Sequence, residues 1–182
     1  MNKDEIIIYD DDELVVLNKP AGVLSHRQRV DDQKDARQLA EELLFLPEKT
    51  LKPIHRLDAT TSGLMLFGKN KRAARYYCQL LAAHKIKKEY LTIVSGSVQD
   101  KETVIGGCIK ATSKRSYVVE EGGKKAETRV TVKEHLQGFT FCQVNIESGR
   151  KHQIRVHLAS IGHPLLGDKL YGYEDISSHS LE

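Results

Sequence analysis

The 182-residue sequence contains no tryptophan, and its aromatic content of 6% is low. Its three cysteines, Cys78, Cys108 and Cys142, lie 30 and 34 residues apart. An odd and widely spaced set fits neither a disulfide framework nor a zinc site, so we expect a protein of a reducing compartment, the cytoplasm. No apolar run approaches the roughly 18 residues that a transmembrane helix needs. The first five residues are polar and acidic, unlike a signal peptide.

The overall composition is that of an ordinary globular protein. Charged residues make up 29% of the chain and hydrophobic residues 40%, which argues against intrinsic disorder. A chain of this length buries about 70% of the surface that its unfolded form exposes, so it needs no disulfide or metal to fold. Because no internal repeat or low-complexity linker divides the sequence, we predict a single domain over residues 1–182.

The net charge of +3 conceals an uneven distribution of charge along the chain. Residues 1–50 contain 12 acidic and 7 basic side chains, whereas residues 51–182 contain 13 acidic and 21 basic ones. The densest basic block contains no acid and comprises Lys69, Lys71, Arg72, Arg75, Lys85, Lys87 and Lys88. Such a block attracts a polyanion by releasing condensed counterions, but a solvated helix face has the same composition. Charge alone leaves both interpretations open.

Helix-like and strand-like segments follow one another without a regular βαβ order. Two β-branched runs on either side of an acidic turn predict a hairpin over residues 6–17, which ends where Pro20 cannot donate to a sheet. Helical spacing of apolar residues predicts helices over residues 36–44 and 72–81, and a third from near Arg150 to Gly162. Strands are predicted over residues 64–67, 90–94, 115–119, 128–132 and 139–146. This mixture predicts an α+β fold around a largely antiparallel sheet.

Two motif-like arrangements do not have the chemistry that their spacing suggests. Gly63, Gly68 and Lys69 have the spacing of a phosphate-binding loop, but the residues between the glycines are Leu, Met, Leu and Phe, which belong inside a strand. We therefore expect no nucleotide cofactor. His152 and His157 are five residues apart, which differs from the i, i+4 spacing of two imidazoles on one helix face. We predict no metal site.

Residues 53–63 form the first segment that is rich enough in polar groups for catalysis. This loop contains Asp58 at its centre and three hydroxyl residues after it, and it leads directly into a predicted buried strand. Loops held by rigid elements often position catalytic groups, and nearby hydroxyls can fix the direction of a carboxylate. The same residues also suit a structural turn in which Arg56 forms a surface ion pair.

Residues 148–158 form the second such segment. On a helix, Ile154 lies on an apolar stripe, while Arg150, Lys151 and Arg155 remain available for a phosphate or a buried carboxylate. The planar guanidinium group suits both partners. The simpler interpretation is a basic amphipathic helix packed on a sheet.

Together these segments resemble the signature motifs of the RluA-type pseudouridine synthases. Residues 55–64 match the family pattern HRLDxxTSGL, and residues 149–157 read GRKHQIRVH, followed by GHPLLGD over residues 162–168. Agreement continues in LNKPAG over residues 17–22 and in Lys88 and Tyr90. The motifs follow the order of the family and extend over residues 17–172, which is most of the chain.

The resemblance implies the pseudouridine synthase fold, an α+β fold in which helices flank a central, mostly antiparallel mixed sheet with an RNA-binding cleft. It implies the isomerisation of uridine to pseudouridine in structured ribosomal or transfer RNA, with no cofactor and no metal. Asp58 corresponds to the nucleophile, Tyr90 to the aromatic residue against the target base, and Arg155 to the partner of Asp58. The residues expected to bind the RNA or the base are Arg56, His55, Thr61, Ile154, Arg150, His152, Gln153, Arg72 and Arg75.

Physical chemistry is consistent with these roles. A uracil must leave the base stack before its glycosidic bond can be reached, and this costs a few kcal/mol. Stacking on Tyr90 and insertion of Arg56 into the vacated space offset that cost. A guanidinium within about 4–6 Å favours the ionised form of a carboxylate nucleophile, which is the role expected of Arg155.

Two features of the family do not appear in the sequence: the S4 RNA-binding domain, and a C-terminal strand after residues 162–172. We therefore expect the catalytic domain itself to select the substrate, and we interpret residues 181–182 as a cloning scar. The alternatives are a non-catalytic RNA-binding or folding factor with the same fold, and a glycosidic hydrolase that releases free uracil. We expect RNA as the partner, no association with membranes, and a monomer.

Overall fold

The computed structural model describes residues 3–26 and 34–172, so residues 181–182 and any strand after residue 172 lie outside the described residues. The chain divides into two compact units, Met1–Ile86 and Lys87–Glu182. The elements of the first unit are α1 (Lys3–Ile6), β1 (Ile7–Asp10), β2 (Leu14–Lys19), α2 (Ala36–Leu43), β3 (Lys52–Pro53), β4 (Gly63–Gly68) and α3 (Lys71–Ala82). Those of the second are β5 (Lys88–Ser95), β6 (Glu102–Ala111), β7 (Ser116–Val119), β8 (Lys124–Leu136), β9 (Phe139–Ile146) and α4 (Gln153–Ser160).

The first unit contains a four-stranded sheet in the order β1-β2-β4-β3. The predicted hairpin is present, and its turn is held by Asp11, whose Oδ1 accepts the N–H groups of Glu13 at 2.8 Å and Leu14 at 2.7 Å. Strand β2 extends to Lys19, beyond the predicted end, because it pairs with β4 along its whole length. The hydrophobic core beneath this sheet includes Val15, Leu17, Met65 and Phe67, all fully buried.

Both longer helices of the first unit start where the sequence predicts, because side chains cap them. Asp35 and Gln38 form a reciprocal capping box at the start of α2. The Asn70 side chain accepts the N–H of Ala73 at 2.8 Å at the start of α3. Helix α3 approaches β4 so closely that a Cβ at Gly68 would lie 2.5 Å from the backbone nitrogen of Ala74. Only glycine fits at that position.

The second unit contains a five-stranded sheet in the order β5-β9-β8-β6-β7. Strand β9 alternates as predicted, with Thr140, Cys142, Val144 and Ile146 buried and the residues between them partly exposed. Every strand pairing in the described residues of both units is antiparallel. The predicted α+β class is confirmed, with the strands distributed over two sheets.

Helix α4 packs on the buried face of the second sheet. Its Leu158 is fully buried in a core that contains Val94, Val130 and Val144. The helix begins at Gln153 rather than near Arg150, because His152 adopts a left-handed conformation with φ 55° that a helix cannot include.

Two expectations about excluded functions can be compared with these elements. In the segment that resembles a phosphate-binding loop, the residues from Gly63 to Gly68 form strand β4, as expected from the apolar residues between the glycines, and Lys69 follows the strand. Among the described residues, no helix has the length and apolar character that a membrane crossing requires.

Candidate functional site

The loop between β3 and β4 presents Asp58 with its side chain partly buried. Its carbonyl accepts the N–H of Thr61 at 3.1 Å, which closes a turn immediately after the carboxylate. The loop then enters β4 through Gly63, whose φ of +121° favours glycine. The backbone therefore fixes the direction in which Asp58 leaves the loop.

The segment after β2 fixes this loop on both sides of Asp58. The ammonium of Lys19, which is fully buried, donates to the carbonyls of Pro20 at 2.9 Å, Val23 at 2.7 Å and Ala59 at 3.1 Å. The Ala59 carbonyl also accepts the N–H of Gly22 at 2.8 Å. The loop residue after Asp58 is therefore bonded to this segment twice.

Ser25 holds the residue before Asp58. Its hydroxyl donates to the Leu57 carbonyl at 2.6 Å and accepts the Leu57 N–H at 2.9 Å. Burial lowers the pKa of Lys19, and the negative charge of Asp58 opposes that shift, so the ammonium and the carboxylate interact electrostatically. Lys19 and Ser25 were not singled out by the sequence analysis, although Lys19 lies in the motif at residues 17–22.

His55 and Arg56, the two residues before Leu57, differ in the contacts of their side chains. The Nε2 of His55 accepts the N–H of Leu66 in β4 at 3.2 Å, which anchors the start of the loop. Arg56 is exposed, and within the described residues its guanidinium has no hydrogen bond or ion pair. The surface ion pair that a purely structural turn would suggest is therefore absent from the described part of the chain.

In the second unit, Arg155 of α4 forms a bidentate ion pair with Asp168. The Nε and Nη2 atoms of the arginine lie 2.6 and 2.8 Å from the two carboxylate oxygens. Asp168 also accepts the N–H of Leu170 at 3.0 Å. Burial alone would raise the pKa of Asp168, but the bonds from Arg155 and Leu170 and the charge of Arg155 lower it overall. The carboxylate thus stays ionised and fixes the arginine.

Tyr171 lies at the centre of this arrangement. The Arg155 guanidinium carbon is 5.1 Å from the centre of its ring. Its hydroxyl accepts the backbone N–H of Ser116 at 2.6 Å and lies 2.9 Å from Nδ1 of His152. The Ser116 hydroxyl donates in turn to the Lys151 carbonyl at 2.6 Å. These bonds join the start of β7 to the start of α4 and explain why His152 holds its left-handed conformation.

Gln153 uses its whole side chain within the protein. Its oxygen accepts bonds from the Ser148 hydroxyl at 2.8 Å and the Arg150 N–H at 3.1 Å. Its nitrogen donates to the Glu127 carbonyl at 2.8 Å and the Thr128 hydroxyl at 3.2 Å. The side chain is 2% exposed, so these contacts give it a structural role in tying the loop before α4 to β8.

The other predicted residues of this unit lie around the same helix or on β5. Ile154 is partly buried and packs against the core, as does Tyr90, which lies opposite Val144 of β9. Arg150 is exposed, and its Nε donates to the Lys125 carbonyl at 3.2 Å. Burial and, to a smaller extent, the charge of Arg150 lower the pKa of Lys88, while the charge of Glu147 opposes that shift.

The outer face of α3 contains the predicted basic residues, but not all of its cations are available. Lys69 pairs with Asp10 at 2.6 Å, and Arg72 pairs with Glu13 at 2.6 Å. These acids belong to the acidic turn of the N-terminal hairpin. Arg75 is exposed, and its side chain makes no ion pair within the described residues. Part of the positive charge on this face is therefore already neutralised.

The predicted residues thus fall into one group in each unit. The first contains His55, Arg56, Asp58, Thr61, Arg72 and Arg75, and the second contains Tyr90, Arg150, His152, Gln153, Ile154 and Arg155. Asp168 and Tyr171, which fix Arg155, were not predicted as site residues. The only signal for Asp168 was its place at the end of the motif at residues 162–168.

Both groups of residues lie within a single match to a known protein family. A family model described as RNA pseudouridylate synthase matches residues 13–160, which include both the Asp58 loop and Arg155. Ribosomal large subunit pseudouridine synthase D of Yersinia pestis is 35% identical over 171 residues, covering 91% of this chain and 52% of the relative. tRNA pseudouridine synthase C of Haemophilus ducreyi is 34% identical over 188 residues, covering 91% of this chain and 73% of the relative.

Solved structures agree with the sequence matches. Human RNA pseudouridylate synthase domain containing 1 superposes with a TM-score of 0.74 at 25% identity, covering 97% of this chain and 73% of that one. The chain belongs to the RNA pseudouridylate synthase family, as the resemblance of its motifs implied. It spans about half the length of the first curated relatives that it matches.

Proposed function

We propose that this chain isomerises uridine to pseudouridine in RNA, with Asp58 as the nucleophile. The observation that supports this most strongly is the family match over residues 13–160 together with the fixed, partly buried Asp58 in the loop that contains the family's HRLD sequence. In the reaction the bond from ribose to N1 of uracil breaks and a bond from the same carbon to C5 forms. The hydrogen at C5 is lost as a proton and N1 gains one, so that the overall change is an isomerisation.

Different residues of the protein would serve different steps of this reaction. The carboxylate of Asp58 attacks the nucleotide as the base is detached, and the bond that it forms breaks again before pseudouridine is released. No cofactor is needed, because the isomerisation involves no net oxidation or reduction. Lys19 and Ser25 hold the loop so that the carboxylate keeps one orientation during the attack. An orienting contact of this kind lowers the entropic part of the barrier.

We assign the remaining predicted residues to holding the flipped nucleotide. Tyr90 stacks on the target uracil, Arg155 pairs with Asp58, and Arg56 fills the space that the base leaves. Arg56 is suited to this because it is exposed and has no protein partner within the described residues. In this proposal the RNA or the base is also bound by Thr61, Ile154, Arg150 and His152.

The substrate class that we propose is structured RNA, either ribosomal or transfer RNA. The names of the relatives point to both, since one acts on the large ribosomal subunit and another on tRNA. The excess of basic residues in residues 51–182 supports a polyanionic partner. We also propose a cytoplasmic location, supported by the free thiols of Cys78, Cys108 and Cys142.

We further propose that the two compact units act as one catalytic domain. The support is that the family match runs through both of them without interruption, from residue 13 to residue 160. In this proposal, turnover by the chain requires residues from both units.

In the test, the purified chain is incubated with an unmodified RNA transcript whose uracil bases are labelled, and the nucleosides of the RNA are then analysed. We expect pseudouridine to form with the wild-type chain and to be undetectable with Asp58→Asn, which keeps the size of the side chain but removes its charge. Asp12→Asn is the matched control, because Asp12 is an exposed carboxylate outside the proposed site. It should have wild-type activity.

Three outcomes would contradict the proposal. Full activity of Asp58→Asn would show that another group is the nucleophile. Binding of RNA without any change in its uridines, on ribosomal and transfer RNA transcripts alike, would favour the non-catalytic RNA-binding factor. Release of free uracil in place of pseudouridine would instead indicate a glycosidic hydrolase.

A further inference from the structure

Arg115, which immediately precedes β7, lies between two aromatic rings. Its guanidinium carbon is 5.2 Å from the centre of the Tyr117 ring and 5.2 Å from the centre of the Tyr171 ring. The turn that contains Arg115 is closed by Thr112, whose N–H and hydroxyl both donate to the Arg115 carbonyl at 2.8 Å. The Thr112 hydroxyl accepts the Arg115 N–H at 3.1 Å. The turn and the two rings therefore set the position of the guanidinium before any ligand binds.

Within the described residues, the guanidinium of Arg115 forms no side-chain hydrogen bond and no ion pair. Its Nε is buried and also has no hydrogen-bond partner in that part of the chain. Because the Nε is buried, a ligand from solvent can reach only the two terminal nitrogens of this partly buried side chain. These nitrogens carry donors in a rigid, planar arrangement that matches two oxygens of a phosphate.

The surroundings of Arg115 are positively charged. Lys151 donates to the carbonyls of Thr112 at 3.0 Å and Ser113 at 2.6 Å, which places its ammonium at the same turn. Arg155 contacts the other ring beside Arg115, that of Tyr171, and binds the carboxylate of Asp168. Within the described residues, neither Arg115 nor Lys151 forms an ion pair. The positive charge of this cluster therefore exceeds its negative charge, which favours an anion.

The exposed side of the cluster also fits a nucleic acid better than a small anion. Tyr117, whose ring lies beside the Arg115 guanidinium, is 45% exposed. Lys110, the partner of Tyr117 across the β6–β7 pairing, is exposed as well. Aromatic rings beside cations are the usual surface on which unpaired bases stack while the backbone phosphates bind the cations.

We propose that Arg115 binds a backbone phosphate of the substrate RNA, with Tyr117 beside it as a stacking surface. This inference rests on the proposed function, because it takes RNA as the substrate. The guanidinium groups of Arg115 and Arg155 contact the same ring, so the phosphate bound at Arg115 belongs to a nucleotide close to the one that is modified. The hairpin of β6 and β7 is thus an RNA-binding element in addition to the basic helix α3.

The experiment compares Arg115→Gln, Arg115→Lys and Arg129→Gln with the wild-type chain. The probe is a fluorescently labelled, unmodified transfer RNA transcript, whose binding is followed by anisotropy over a range of salt concentrations. Arg129 is the matched control, since it is an exposed arginine of β8 whose guanidinium already has an acidic partner, Glu127, at 3.5 Å. Turnover at saturating RNA is measured in parallel by nucleoside analysis.

We expect Arg115→Gln to weaken binding about 5- to 10-fold at low salt and to reduce the slope of log Kd against log salt by about 1, the value for one lost phosphate contact. Arg115→Lys should keep the wild-type slope because it keeps the charge, and Arg129→Gln should behave as wild type. Turnover at saturating RNA should change less than twofold, because the contact holds substrate and transition state equally.

Unchanged affinity and slope in Arg115→Gln would overturn the inference. Equal losses in Arg115→Gln and Arg115→Lys would overturn it too, because they would indicate damage to the turn instead of a lost phosphate contact. The inference and the proposed function fail separately. If the wild-type chain binds the transcript through Arg115 but forms no pseudouridine, only the function is wrong.

Discussion

Replacing Asp168 by asparagine tests the energetic importance of the pair that fixes Arg155. The substitution keeps the shape of the side chain and one acceptor oxygen, but it removes the charge that the guanidinium faces. The pair is bidentate, with bonds of 2.6 and 2.8 Å, and the two side chains are only 17% and 6% exposed. Arg155 would therefore lose the negative charge of the carboxylate that it contacts through two hydrogen bonds in a mostly buried site.

The size of the effect follows from this burial. Breaking a buried ion pair by removing one partner costs about 3–5 kcal/mol, and because some exposure remains here we expect about 3 kcal/mol for Asp168→Asn. The pair between Arg72 and Glu13 has a similar length of 2.6 Å, but its side chains are 84% and 42% exposed. Glu13→Gln should therefore cost less than about 1 kcal/mol.

The assay is urea unfolding followed by far-ultraviolet circular dichroism, at pH 7 and at lower pH. The pKa of Asp168 is depressed in the folded protein, so its contribution to stability is present above the unfolded value of about 3.9 and disappears as the pH falls through the lower, folded value. The difference between wild type and Asp168→Asn should shrink below pH of about 4. Equal stability of Asp168→Asn and Glu13→Gln at pH 7 would refute this reasoning.

Three further predictions concern single side chains. Lys19→Met should lower the free energy of unfolding, measured in urea, by about 2–4 kcal/mol, because three carbonyls lose their hydrogen-bond donor. It should also reduce turnover at least about tenfold. Wild-type stability of this variant would contradict the proposed role of Lys19 in holding the Asp58 loop. Burial lowers the pKa of His157, so the unfolded chain binds a proton that the folded chain does not, and stability should fall below pH of about 6.5. His157→Gln should reduce that pH dependence, and an identical pH profile would contradict it. Arg75→Gln should weaken RNA binding at low salt more than Arg72→Gln, because Arg72 is already paired with Glu13; equal effects in a salt titration would contradict this difference.

Much of the fold follows from local patterns, and the exceptions have local causes. Strand β6 was not predicted because Gly106 and Gly107 lie in its interior and read as a turn. Strand β3 has two residues and includes Pro53, which is tolerated because β3 is at the edge of its sheet. The start of α4 was placed too early because nothing in the sequence around His152 shows its left-handed backbone.

The candidate site was predictable in its motifs and much less so in its supporting contacts. Asp58 and Arg155 lie in sequence motifs that could be identified from the resemblance to the family. The bonds that fix them come from residues distant in sequence: Lys19 reaches the loop from 40 residues away, and Asp168 reaches Arg155 from 13 residues away. Such pairs depend on how the elements pack, which neither periodicity nor composition records.

The most direct test of the central claim is pseudouridine mapping by carbodiimide-stopped reverse transcription. Bulk RNA is compared between cells that lack this protein and the same cells supplied with either the wild-type chain or Asp58→Asn. The account predicts stops in ribosomal or transfer RNA that are lost with the protein, restored by the wild-type chain and not restored by Asp58→Asn. Stops restored equally by both chains, or no stop that depends on the protein, would contradict it.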